Sequence, residues 1–116
     1  MSKIINCVVD TQNKKERERL VDFVCERIEA FALIDDSDGF QLMMVRGEMI
    51  GNIGVISARN LVTKEGFRHF LSVGEFEKYH IIQEIGEARY EIYEKYGLKP
   101  TVIHRAGTRI IMKNNK

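Results

Sequence analysis

The sequence predicts an α+β fold: a mostly antiparallel sheet in the order β-α-β-β-β-α-β-β, with two amphipathic helices packed on one face. Three observations lead there. Two long segments repeat apolar residues at spacings of three and four behind a capping residue. Around them, short apolar runs are separated by glycine-containing turns. At 116 residues, with 44% hydrophobic and 30% charged side chains, the chain is a single domain, residues 1–116, with enough apolar material for a core.

Ile4 to Val9 is a run of strand formers ended by Asp10. Asn13 then reads as an N-cap, with Glu16 three residues on, as in a capping box. Leu20, Val24, Ile28 and Phe31 follow on one helical face, which predicts a helix over 14–33. Ile34-Asp35-Asp36-Ser37-Asp38-Gly39 reads as a turn, its aspartates bonding to nearby backbone N–H groups. Phe40 to Val45 is a buried strand, Arg46-Gly47-Glu48 a turn, and Met49 to Ala58 a second strand interrupted by Gly51 and Gly54.

Thr63-Lys64-Glu65-Gly66 reads as a further turn and Phe67 to Val73 as a third strand of this series. His69 lies in it, beside Phe67, Phe70 and Leu71, and reads as a packed or edge residue. Ser72 and Glu75 form a second capping box, and a long helix runs to about Tyr96. Its stripe is Ile81, Ile85, Ala88, Ile92 and Tyr96. Gly97 suits the position just past a helix, and Pro100 cannot continue it. Tyr79, Tyr90, Tyr93 and Tyr96 read as core edge or subunit contact. Thr101–Arg105 and Thr108–Met112 complete the order as two short strands. The helices cover one face of the sheet, so the Met43, Met44, Met49 and Ile50 region is expected to meet another subunit.

Charge and motifs exclude several classes. Net charge is +1, but residues 1–58 carry seven basic and ten acidic side chains, and residues 59–116 carry eleven and seven. A gradient of −3 to +4 suits an anionic ligand or a head-to-tail partner, and is too weak for a duplex nucleic-acid binder. No apolar run approaches the roughly 20 residues of a membrane span. The N-terminus shows no signal-peptide pattern. Cys7 and Cys25 lack zinc or redox spacing and read as buried thiols of a cytoplasmic protein. Three histidines in three separate elements predict no metal site, and no cofactor motif is present.

The densest group of functional side chains is His104, Arg105 and Arg109, within a stretch from Lys99 on that has five basic and no acidic residues. Two guanidiniums hold phosphate or carboxylate bidentately, and histidine donates, accepts or shuttles a proton near neutral pH. Arg59 and Arg68 are expected to join from neighbouring strands. No catalytic residue is assigned.

Phe76 to Ile110 resembles the central segment of the large subunit of molybdopterin synthase. The shared features are a helix carrying Glu87-Ala88-Arg89, then Lys95-Tyr96-Gly97-Leu98, then a strand ending Val102-Ile103-His104-Arg105-Ala106-Gly107. The resemblance implies that His104 and Arg105 contact a phosphate-bearing pterin precursor. It carries no catalytic role onto Lys113, which stands in no matching motif. Together these readings predict a small oligomeric binding protein that takes a nucleotide or another phosphate-bearing ligand at the C-terminal cluster. The alternatives are a shortened sulfur-transfer enzyme of the synthase type and a protein–protein inhibitor or assembly module.

Overall fold

Among the described residues six strands form one sheet in the order β5-β1-β3-β4-β2-β6. The computed structural model describes residues 4–27, 30–35, 42–47, 49–98 and 108–113. Among these the chain runs β1 (Cys7–Asp10), α1 (Lys14–Cys25), β2 (Ala30–Asp35), β3 (Leu42–Arg46), β4 (Met49–Asn52), α2 (Val55–Lys64), β5 (Arg68–Phe70), α3 (Val73–Ile85), α4 (Glu87–Lys95) and β6 (Thr108–Lys113). The fold is α+β, and the sheet is mixed rather than mostly antiparallel. β1 pairs with β5 and β2 with β4 and β6 in parallel, while β3 is antiparallel to both neighbours. Five strands therefore point one way, and β3 alone points back.

The helices cover both faces, not one. Cys7 and Val9 of β1, Met43 and Val45 of β3 and Ile50 of β4 pack with Leu20 and Val24 of α1 and with Val73 and Phe76 of α3. Val8, on the opposite face of β1, packs with Ala58 and Leu61 of α2 and with Phe67; Leu42 and Met44 join them. Crossover hand explains the split. The connections β1-α1-β2 and β5-α3-α4-β6 both move across the sheet toward β6, whereas β4-α2-β5 moves back toward β5. Parallel crossovers share one hand, so the reversed direction puts α2 on the reversed face. Of the methionine region expected to lie open, Met43 and Ile50 are buried under α1 and α3, and Met44 packs near α2; Met49 is exposed.

Three further expectations change. The helix predicted over 14–33 stops at Cys25, and Ala30–Asp35 is a strand flanked on both sides by β4 and β6. Phe31 to Ile34 is an unbroken apolar run, a pattern shared by doubly flanked strands and buried helices. The strand predicted over Met49–Ala58 ends at Asn52; Gly54 starts α2, which absorbs Arg59, Thr63 and Lys64. The helix expected from Ser72 to Tyr96 is broken at Gly86 into α3 and α4. The β3–β4 hairpin turns at Gly47, whose φ of 55° suits glycine. The Asp36–Gly39 part of the expected turn and the Thr101–Arg105 strand lie outside the described residues.

Candidate functional site

α1 and α3 each follow one strand of the parallel β1–β5 pair, and each has a capped start. Asn13 Oδ1 accepts from the Glu16 N–H at 2.9 Å, and Ser72 Oγ from the Glu75 N–H at 3.1 Å. The Glu16 and Glu75 carboxylates accept in return from Gln12 and Leu71. Each box thus closes one residue before the cap.

Two ion pairs join these helices. Arg19 of α1 makes a two-pronged contact with Glu77 of α3, and Arg27, just past α1, makes one with Glu84. The pairs ascend both helices together, so α1 and α3 run side by side in the same direction. Their worth differs. The Arg19 side chain is 54% exposed, and a surface pair contributes about 0–1 kcal/mol. The Arg27 side chain is 5% exposed and that of Glu84 17%. Arg27 also donates to the Phe23 carbonyl at 3.1 Å and lies 3.5 Å from the Phe23 ring centroid.

Past Ile85 the chain turns at Gly86 and α4 comes back beside α1. Between them lies an open groove of about 1150 Å³. Glu18 and Asp22 of α1 and Glu26, just past it, line one side, Tyr90, Tyr93 and Leu98 the other, with Phe23 and Ile81 at the α1–α3 seam. Lys14 and Lys15 stand at the end nearest the start of α1. α4 has no buried residue, and the large apolar side chains of Ile92, Tyr96 and Leu98 are mostly exposed. The groove therefore has one side tied to α3 by ion pairs and one side joined to α3 through Gly86 and the Lys78 ammonium, 5.6 Å from the Tyr90 ring centroid.

Behind α3, His80 is 1% exposed. Its Nδ1 lies 2.8 Å from the Phe76 carbonyl and its Nε2 3.4 Å from the Ile5 N–H. A carbonyl only accepts, so Nδ1 carries the proton and Nε2 accepts: the ring is neutral in a fixed tautomer. Burial holds its pKa below the ordinary 6.5, against the opposing Phe76 bond, and Arg27 adds to the lowering. The unfolded chain takes up this proton near pH 6.5 and the folded chain only below it. The His80 contribution to stability is thus full above about pH 6.5 and is lost as pH falls from there through the folded value. Urea midpoints from pH 8 to 5 are expected to fall for the natural protein and to fall less for His80→Gln. Parallel curves would contradict the assignment.

His69 Nε2 lies 2.7 Å from Asp10 Oδ1. The pair ties edge strand β5 to β1 on the face that α2 covers, away from the groove, in keeping with an edge role for His69. Among the described residues no group of three or more His, Cys, Asp or Glu is placed to hold a metal ion, and no helix is long and apolar enough to cross a membrane. Cys7 and Cys25 are buried and not joined in a disulfide, and burial pushes the Cys7 thiol up to about 12.

The residues expected to form the anionic site are not brought together. His104 and Arg105 lie outside the described residues. Arg109 stands on β6, opposite Phe31 of β2. Arg68 stands on β5, the other edge of the sheet. Five strand spacings of about 4.8 Å put these two edges roughly 24 Å apart. Arg68 lies instead over Tyr79, 4.5 Å from the ring centroid. Arg59 belongs to helix α2, not to a neighbouring strand. The groove was absent from the sequence reading. Its available signal was Glu18, Asp22 and Glu26, three carboxylates spaced by four along α1. Comparison with family models, with curated proteins and with solved structures finds no match for the chain.

Proposed function

We propose that this chain is a binding protein whose ligand lies in the groove between α1 and the α3–α4 arm. The observation that carries this reading is the unequal mounting of the two sides. Arg19–Glu77 and Arg27–Glu84 fix α1 to α3, while α4 joins α3 at Gly86 and by the cation–π contact of Lys78 with Tyr90, with no fully buried residue of its own and with Tyr90 and Tyr93 lining the groove. A fixed side and a hinged aromatic side suit closure on a ligand. The lining groups are carboxylates, ammonium and guanidinium groups and phenols, which hold a ligand without a paired nucleophile and base.

The test is native mass spectrometry on gently purified protein, repeated after denaturation, for the natural chain and for Tyr93→Ala. The expected result is a bound molecule or second subunit that the natural chain carries and Tyr93→Ala loses, with circular dichroism unchanged. A ligand-free monomer in both samples sinks the reading.

A second reading keeps a nucleotide or other phosphate-bearing ligand at His104, Arg105 and Arg109. It is supported by the position of Arg109 on β6 at the end of the strand order, and it stands without Arg59 and Arg68. In the same spectra it predicts a ligand retained by Tyr93→Ala and lost by Arg109→Ala, with binding weakened by about 1–3 kcal/mol. Subunit number in those spectra also tests self-association, for which the exposed Ile92 of α4 and Tyr96 and Leu98 just past it offer a surface. The sulfur-transfer alternative draws no support from the groove, whose lining lies outside the His-Arg-Ala-Gly motif.

A further inference from the structure

We propose that the outer side of α4 pairs with α4 of a second copy of the chain, antiparallel about a twofold axis. Ile92 and Tyr96 of the two copies interleave, and Glu91 of each copy stands against Lys95 of the other. The helix has two unlike sides. Tyr90 and Tyr93 line the groove, whereas Ile92 is 52% exposed and Tyr96, just past the helix, 66%. Ile92 stands about 100° from Tyr93 and about 160° from Tyr90 around the helix. Ala88, Ile92 and Tyr96 are spaced by four and form one line, and all three are exposed. The Tyr96 N–H donates to the Ile92 carbonyl at 3.1 Å, which keeps Tyr96 on the helical path.

The line fits a reversed copy of itself. A twofold axis at the level of Tyr93, midway between Glu91 and Lys95, brings each Glu91 level with the second copy's Lys95 on the same flank. Ile92 then lies about 1.5 Å to one side of the axis and Tyr96 about 4.5 Å to the other, and the second copy is reversed. The apolar side chains alternate between the copies about every 3 Å along the helices. Each tyrosine falls between an alanine and an isoleucine of the other copy, so the largest side chain meets the smallest.

Charge selects the same register. Glu91 and Lys95 form no ion pair with the described residues of their own chain; Lys95 lies 5.6 Å from its own Tyr96 ring centroid. The antiparallel pairing gives each of them an opposite charge. On the other flank the two Arg89 side chains stand about 12 Å apart along the axis, beyond the screening length of about 8 Å at physiological salt. A parallel pairing would stack Ile92 on Ile92 and Tyr96 on Tyr96 and leave Lys95 without a carboxylate. α4 has nine residues, so the interface is at the small end of specific ones, and a dissociation constant on the order of 10 μM is expected. The pairing uses the side of α4 turned from the groove and needs no groove ligand, so it goes beyond the groove reading and is tested separately.

Sedimentation of the full chain from about 1 to 100 μM, across the expected constant, is expected to show a monomer giving way to a dimer. Ile92→Asp is expected to abolish the dimer over that range. Glu91→Lys leaves the flank basic and Lys95→Glu leaves it acidic, and each alone is expected to weaken the dimer at least about tenfold. Mixed in equal amounts, these two variants are expected to recover it as pairs of one of each. Native mass spectrometry with one variant enriched in heavy nitrogen reads the mixed pair. Tyr93→Ala, in the groove, is expected to keep the dimer. Circular dichroism verifies folding, which is expected to survive because α4 has no buried residue.

A natural chain that stays monomeric overturns the proposal and leaves the groove reading standing, since a monomer can still carry a groove ligand. A dimer that survives Ile92→Asp, or a mixture that recovers nothing, also overturns it. A dimer lost by Tyr93→Ala and kept by Ile92→Asp overturns it in favour of a second copy seated in the groove.

Discussion

Glu84→Ala is expected to lower folding stability by about 3 kcal/mol, the low end of what breaking a buried ion pair costs. The physical reason is the partner left behind. Arg27 is always charged, and its side chain is 5% exposed. Without Glu84 its partners among the described residues are the Phe23 carbonyl, the Phe23 ring and the longer contact to Glu26. Those residual partners, and the partial exposure of Glu84, place the expected loss at the low end. Glu77→Ala is the matched comparison on the same pair of helices. It removes the partner of the half-exposed Arg19 and is expected to cost no more than about 1 kcal/mol. Urea denaturation at pH 7 reads both. Arg27→Met combined with Glu84→Leu is expected to recover most of the loss, because two apolar side chains leave no orphaned charge. Equal losses for Glu84→Ala and Glu77→Ala would show that burial of Arg27 contributes nothing beyond a surface pair.

That pair also shows where sequence reading reaches its limit. The starts of both long helices were legible, because a capping residue and its glutamate lie within four positions and act locally: Asn13 with Glu16, Ser72 with Glu75. The α+β class was legible for a similar reason, since apolar spacing reports local periodicity. Strand direction was not. Whether β2 follows α1 parallel to β1 is decided by where a crossover lands, and nothing within Ala30–Asp35 encodes its neighbour. The same non-local choice put α2 on the second face and sent Arg68 and Arg109 to opposite edges, which dispersed the expected cluster. Arg27 and Glu84 are 57 positions apart, so no spacing rule links them. The carboxylates at 18, 22 and 26 keep helical spacing, but nothing local to them shows which side chains line the groove opposite.

Gly86→Ala is expected either to straighten the α3–α4 arm or to lower stability by about 1–3 kcal/mol, and the groove makes the first outcome the favoured one. Gly86 has φ 89° and ψ 155°, a region open essentially to glycine alone. A Cβ built there meets no atom within 4 Å, so the whole penalty lies in the backbone. Gly86 keeps its own helical bonds at the break: its N–H donates to the Ile82 carbonyl at 2.8 Å, and its carbonyl accepts from the Tyr90 N–H at 3.1 Å. A continuous helix is a ready alternative. Alanine gains about 1 kcal/mol over glycine inside a helix, and Ile81, Ile85, Ala88, Ile92 and Tyr96 already keep helical spacing across the junction. What holds the bent form among the described residues is α3, where the Lys78 ammonium lies 5.6 Å from the Tyr90 ring centroid, while α4 buries nothing fully. Straightening would carry α4 past the end of α1 instead of back along it. Spin labels at Glu18→Cys and Glu94→Cys measure this directly, because Cys7 and Cys25 are buried. Their separation is expected to grow by on the order of 10 Å, roughly the length of α4, and binding in the groove to fall with it. An unchanged distance with lowered stability would show a rigid arm that keeps the strain. An unchanged distance with unchanged stability would show that residue 86 does not need glycine, and the hinge would fall with it.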